Sequence, residues 1–406
     1  MNVLSLFDGM SCGQQALERA GIKVDNYYAS EIDKHAISIT QKNYPNTIQL
    51  GSVVNVDINN LEKIDLLIGG SPCQSFSFAG KRKGMSTKDE IEILTLDQYL
   101  ELKEQNFEFE GQSYLFWEYM RILTDIRKTN PDVKFLLENV MMGEKWEKVL
   151  SKAIGVNAIE FNSSLVSAQN RRRLYWTNIG MKPSGLFGDL ESVIVQPKDQ
   201  CILLKDILES EVDEKYFLSE KLISSFQIHE QRHKEKGTGF FWKPTEGDVK
   251  GNCLRANGAL APTDNIIIHN LMQRSSTTGK GGTGHLSRND GKTYCLDTGN
   301  TNAVEVREVR QLNRNNESNN NTQPFQQNRV YDINGISPAL QAQLTKGSTM
   351  INTPRIRRLT PTECERLQTV KDSYTEGVSD TQRYRMLGNG WTVEVIKHIF
   401  SYLNNN

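Results

Sequence analysis

Four short apolar runs separated by stretches of helical spacing constrain this chain more than any other feature. They are Val3 to Phe7, Tyr27 to Glu31, Ile64 to Gly70 and Val133 to Glu138. A strand that is apolar along its whole length, rather than at alternate positions, is buried on both faces, as in a parallel sheet covered by helices. The intervening spacing predicts helices over Gly13 to Ala20, Asp33 to Asn43 (with Asp33 as N-cap) and Tyr114 to Thr129. Strands alternating with helices in this way form βαβ units, so the fold class is α/β with a doubly wound, Rossmann-like sheet.

After about Gly180 the pattern changes. Short strand-like pieces separated by Gly, Asn, Thr and Ser replace the helices, and three of them form a weak repeat around Leu254, Leu296 and Leu340. The tract Asn313 to Asn328 is of low complexity and reads as a loop. From Arg357 the α/β pattern returns, with a helix over Pro361 to Gln368 and a closing helix over Val393 to Tyr402. The expectation is one catalytic domain, 1–180 and 357–406, interrupted by a smaller β-rich domain, 181–356. A polar stretch from Lys81 to Gln112, holding a short helix at Leu96 to Lys103, reads as a loop beside the site.

Charge supports this division. The chain has a net charge of -1, yet Lys221 to Arg358 carries 19 Lys and Arg against 11 Asp and Glu, leaving 29 against 38 elsewhere. A basic segment on an acidic body points to a polyanionic partner. The six cysteines are scattered with no C-x-x-C pair, which argues against a structural zinc or a disulfide framework and for a reducing compartment. No run is long enough to span a bilayer, and the start lacks a secretory pattern, so the expectation is a cytoplasmic protein without a membrane partner. The pair His229 and His233 has no third ligand in view and reads as an exposed helix turn, so no metal is expected.

The residues that carry chemistry stand at predicted strand ends, where ligands bind in an open α/β sheet. Cys73, in Gly70-Ser71-Pro72-Cys73-Gln74, directly follows the third run and is placed as a nucleophile. Glu138, in Leu137-Glu138-Asn139, puts a carboxyl group at the end of the fourth, within reach of the same place. In Gln169-Asn170-Arg171-Arg172-Arg173, an extended backbone would send Arg171 and Arg173 to one face and Arg172 to the other. The first turn, Phe7-Asp8-Gly9-Met10, is not a G-x-G-x-x-G pyrophosphate fingerprint, while Glu31 stands where an acidic residue binds ribose hydroxyls. A ribose-bearing cofactor without pyrophosphate fits, with S-adenosylmethionine the leading candidate.

Taken in order, FDGMSCG, Glu31, GGSPCQSFS, FLLENV, QNRRR, RRLTPTECERLQ and GNGWTV resemble the DNA (cytosine-5)-methyltransferases of bacteria and phages, from Met1 to Leu403. The resemblance implies methyl transfer from S-adenosylmethionine to carbon 5 of a flipped-out cytosine in double-stranded DNA. It assigns Cys73 to covalent attack on carbon 6, Glu138 to ring nitrogen 3, and Arg173 to the exocyclic oxygen. Arg171 would help position that oxygen or a phosphate, with Gln169 supporting the strand. Cofactor positions map onto Phe7, Asp8, Gly9, Met10, Glu31, Ser52, Val53, Pro72, Asn389 and Trp391. Ser52 departs from the family, where many members carry an Asp that contacts the adenine amine. The region 181–356 would be the target-recognition domain. The resemblance also implies a monomer, either paired with a cognate restriction endonuclease or serving as a phage or orphan enzyme. The alternative is an RNA (tRNA) cytosine-5 methyltransferase.

Overall fold

The computed structural model describes residues 1–72, 85–184, 189–237, 249–256, 265–269 and 355–404. Through the first half the elements run β1 (Asn2–Leu6), α1 (Cys12–Arg19), β2 (Asn26–Ser30), α2 (Lys34–Asn43), β3 (Ile48–Gln49), β4 (Leu66–Gly70), α3 (Leu96–Glu104), α4 (Phe116–Thr129), β5 (Lys134–Val140), α5 (Glu144–Ile154), β6 (Ile159–Asn162) and β7 (Arg172–Thr177). There follow β8 (Met181–Ser184), β9 (Asp189–Ser192), α6 (Glu220–Lys236), β10 (Ile266–His269), β11 (Arg355–Arg358), α7 (Pro361–Leu367), α8 (Asp380–Asn389) and α9 (Val393–Phe400).

Seven strands form one sheet in the order β3-β2-β1-β4-β5-β7-β6. All run parallel except β7, which is antiparallel to both β5 and β6. The chain winds outward from β1 to β3 and then returns to place β4 on the other side of β1. This reversal opens a crevice past the carboxyl ends of β1 and β4.

Alternation along the central strands sends side chains to two cores. Val3, Leu66, Ile68 and Leu136 pack beneath α1, α2, α7 and α9, whereas Leu4, Leu6, Leu67, Phe135 and Leu137 pack against α3, α4 and α5. The helix α5 was not expected, yet Trp146, Leu150 and Ile154 recur at four-residue spacing and bury one face of it. On α4 the fully buried Glu118 accepts hydrogen bonds from Tyr99 at 2.6 Å and Arg121 at 2.7 Å, and pairs with Lys103. These bonds anchor α3, so the polar stretch after the β4 loop is tied down at its far end.

Two expectations change. The segment around Leu254 is not a strand: Gly251 makes a single bridge to Gln169, and the other two repeat pieces lie outside the described residues. The region after β7, read as mostly short strands with a helix turn at His229 and His233, carries that turn within a 17-residue helix, α6. Part of this region packs into the main core, through Ile194, Leu204, Ile207 and Ile267. Among the described residues, no helix is long and apolar enough to cross a membrane.

Candidate active site

The turn from β1 into α1 is bent more sharply than most side chains allow. Phe7 and Ser11 adopt positive φ of 57° and 62°, as does Gly9 at 57°. Non-glycine residues hold such angles only where their surroundings impose them. Here Asp8 N donates to Ser30 O at 3.2 Å, Ser11 N donates to Asp8 O at 3.0 Å, and the Tyr374 hydroxyl donates to Met10 O at 2.7 Å. Gly9 N donates to Glu31 Oε2 at 2.8 Å, while Glu31 Oε1 accepts from the amides of Ile32 and Asp33. The Glu31 carboxylate is therefore fixed beside the glycine turn at the end of β2.

This cleft suits a ribose-bearing ligand. Glu31 offers a preoriented acceptor for hydroxyls, and a Cβ at Gly9 would meet nothing within 4 Å. Asp8 Oδ1 accepts from the Tyr27 hydroxyl at 2.8 Å, but its buried Oδ2 has no partner among the described residues. Burial pushes the Asp8 carboxyl up to about 6, against the Tyr27 hydroxyl that pulls it down. Ser52 caps a short turn at Val53–Asn55 on the rim, with Val53 itself buried in the core. Met10 is likewise buried, and Asn389 stands exposed at the end of α8.

The second half of the site lies between β4 and β5. Gly70 pairs with Glu138, and beyond it Asn139 Nδ2 donates to Ser71 O at 3.2 Å and Ser71 Oγ at 3.0 Å. Pro72 follows, and Cys73, the next residue, lies outside the described residues. β5 continues two residues past Glu138, so this carboxyl sits within the strand rather than at its tip. Arg173 Nε approaches Glu138 Oε1 at 3.0 Å, and the Trp391 indole N–H donates to Oε2 at 3.2 Å. Burial alone would weaken the charge of Arg173, but the Glu138 carboxylate and the Cys253 thiol outweigh it and raise its pKa.

The three arginines separate as an extended strand requires. Arg172 turns outward and forks onto Glu160 at 2.5 and 2.8 Å. Arg171 is 4% exposed and donates to the carbonyls of Gly388, Gly390 and Leu254 and to Cys253 Sγ. These partners all belong to the chain itself and join the start of β7 to the Gly388–Gly390 segment. Gln169, fully buried, donates to Leu367 O and Gln368 Oε1 and accepts from Leu254 N.

Cys253 is the residue that reading the sequence missed. Its sulfur lies 3.3 Å from Arg171 Nη1 and 3.7 Å from Arg173 Nη2. Burial raises its pKa, but the two guanidinium groups bring it net below that of an ordinary thiol. Its only signal in the sequence is membership of the weak repeat around Leu254.

The family model for C-5 cytosine-specific DNA methylases matches residues 1–405. Among curated relatives, the orphan methyltransferase M.SPRI of Bacillus phage SPR is 27% identical over 445 aligned positions, covering 99% of this chain and 97% of that protein. The type II methyltransferase M.HgiCI of Herpetosiphon aurantiacus is 26% identical, covering 96% and 94%. Among solved structures, the Entamoeba histolytica methyltransferase EhMeth matches with a TM-score of 0.58 at 14% identity, covering 100% of this chain and 98% of that one. The S. pombe Dnmt2 methyltransferase matches at 0.54 and 16%, covering 100% and 99%. At such identities the structural likeness speaks for the fold.

Proposed function

The chain belongs to the C-5 cytosine-specific DNA methylase family, and from that premise we propose which of its residues carry the reaction. The reading rests on one observation above the rest. Glu138 and Arg173 meet at 3.0 Å one strand away from the β4 end that leads directly into Cys73.

Carbon 5 of cytosine is too weak a nucleophile to take a methyl group unaided. Cys73, as thiolate, adds to carbon 6, forming an S–C bond and pushing the ring π electrons toward carbon 5. Glu138, carrying a proton in the complex, gives it to ring nitrogen 3 and so neutralises the negative charge that gathers there, and Arg173 donates to the exocyclic oxygen. The family and fold imply S-adenosylmethionine, which when bound supplies an electrophilic methyl group. Once carbon 5 is methylated, it loses its proton to solvent water, Glu138 takes back the proton on ring nitrogen 3, and the electrons returning to the ring expel the Cys73 thiolate. Reaching carbon 6 requires the base to leave the duplex, at a cost of a few kcal/mol.

Glu31 binds the ribose hydroxyls, and the turn Phe7 to Met10 lies along the methyl donor. Ser52, Val53, Pro72, Asn389 and Trp391 complete its walls. Arg171 acts as a positioning residue for the Gly388–Gly390 segment. Residues 1–180 and 357–406 form the catalytic domain, and 181–356 reads the DNA sequence. The enzyme works as a cytoplasmic monomer on double-stranded DNA, beside a cognate restriction endonuclease or as a phage or orphan protector.

The test is transfer of tritiated methyl from S-adenosylmethionine to cytosine-unmethylated genomic DNA and, in parallel, to tRNA. Label in DNA at carbon 5, mapped by bisulfite sequencing and lost in Cys73→Ser, is expected. Label confined to tRNA would transfer the same machinery to the alternative substrate.

A further inference from the structure

The indole of Trp391 belongs to the closing G-N-G-W segment, yet its N–H points to the reacting centre. It donates to Glu138 Oε2 at 3.2 Å while Arg173 Nε holds Oε1 at 3.0 Å. A carboxylate gripped through both oxygens by donors from two different elements cannot turn about its terminal bond. Bonds around Trp391 keep that grip in place. Gly390 O, just before it, accepts from Arg171 Nη2 at 3.0 Å and Gln368 Nε2 at 3.1 Å. Thr392, just after it, donates to Gln368 Oε1 at 2.9 Å and bonds the Ser163 hydroxyl at 2.8 Å.

Gly70 provides an independent sign that the contact is built in. A Cβ there would lie 2.9 Å from the Trp391 indole nitrogen and 3.1 Å from Glu138 Oε2. Any side chain at the end of β4 would therefore push on both partners at once, and the residue there is the one that has none.

We propose that Trp391 is a positioning residue for catalysis, its indole N–H holding Glu138 in the single orientation that meets the flipped base. The proposal rests on the reading that Glu138 acts on that base, and it assigns the ring a task beyond walling the methyl donor. A hydrogen bond to a group that must be correctly aimed in the transition state affects turnover far more than ground-state binding.

The experiment compares full-length wild type, Trp391→Phe, Gly70→Ala and Glu138→Gln, using tritiated S-adenosylmethionine and cytosine-unmethylated genomic DNA. Trp391→Phe keeps an aromatic ring and removes the N–H. Its kcat is expected to fall about 10- to 100-fold. Its Kd for S-adenosylmethionine, measured by calorimetry, and its KM for DNA should stay within about twofold, because uniform binding is untouched. Gly70→Ala, whose methyl would press on both partners, should also lose kcat, and a wild-type kcat there overturns the proposal even if Trp391→Phe does not fold. Wild-type kcat in whichever of the two folds overturns the proposal, as does a weakened cofactor Kd with kcat preserved. Glu138→Gln separates the two levels. Full activity there sinks the catalytic assignment itself, whereas its loss beside an active Trp391→Phe sinks only the role of the indole.

Discussion

Arg171 reaches the carbonyl oxygen of Gly388 with both terminal nitrogens, at 3.2 and 3.3 Å, across 217 residues of chain. The same guanidinium holds Gly390 O at 3.0 Å and touches Cys253 and Leu254. One buried side chain thus ties the start of β7 to the Gly388–Gly390 segment and to residues 253 and 254.

Truncating it should therefore be costly. Arg171→Ala strands several buried carbonyls, and a loss of about 2–4 kcal/mol is expected from urea unfolding. Arg171→Lys should recover little, because an ammonium cannot fork between two carbonyls. An unchanged midpoint together with weakened DNA binding would instead place the guanidinium on a phosphate.

Arg357 and Glu363 form a bidentate ion pair in which both side chains are fully buried, with both bonds at 2.7 Å. Glu363 also accepts from Thr360 N and from Glu209 N, joining the start of α7 to the segment that follows β9. Removing one partner of such a pair leaves an uncompensated charge, so Arg357→Met should destabilise by about 3–5 kcal/mol. The double variant Arg357→Met with Glu363→Leu should be markedly less damaged than the sum of the two singles. Simple additivity in denaturant titrations would contradict this.

Asp8 gives a pH dependence with a definite sign. Its folded pKa, about 6, exceeds the unfolded value of 3.8, so the native state binds the proton more tightly. Stability from this group is then fully present below the unfolded value and is lost as pH rises toward 6. Asp8→Asn removes that titration, so the variant should gain about 2–3 kcal/mol relative to wild type between pH 4 and pH 7. Melting curves at the two pH values test this, and a constant difference would contradict it.

The sheet was legible because its middle strands are buried on both faces and so read as unbroken apolar runs. Where that condition fails, the reading failed. β3 has only two residues, Ile48 and Gln49, and β6 is short with one fully buried side chain, Phe161. The apolar run stops at Glu138 because Asn139 looks like a strand end, yet β5 continues to Val140 and the Asn139 side chain is buried and spent on Ser71. The separation of Arg172 from its neighbours followed from strand alternation alone. What could not be read were the partners of Arg171 and Trp391, since backbone carbonyls and a carboxylate far along the chain leave no mark in composition or spacing. The same holds for Cys253, whose setting between two guanidinium groups arises where the segment around residue 253 lies against Arg171 and Arg173.

Trapping with 5-fluorocytosine tests the central claim most directly, because fluorine at carbon 5 prevents the proton loss that frees the cysteine. Full-length enzyme incubated with S-adenosylmethionine and genomic DNA partly substituted with 5-fluorocytosine should form a protein–DNA adduct that survives denaturation. That adduct should need the methyl donor and be absent in Cys73→Ala. No adduct from the wild type, or an equal amount from Cys73→Ala, would contradict covalent attack by Cys73.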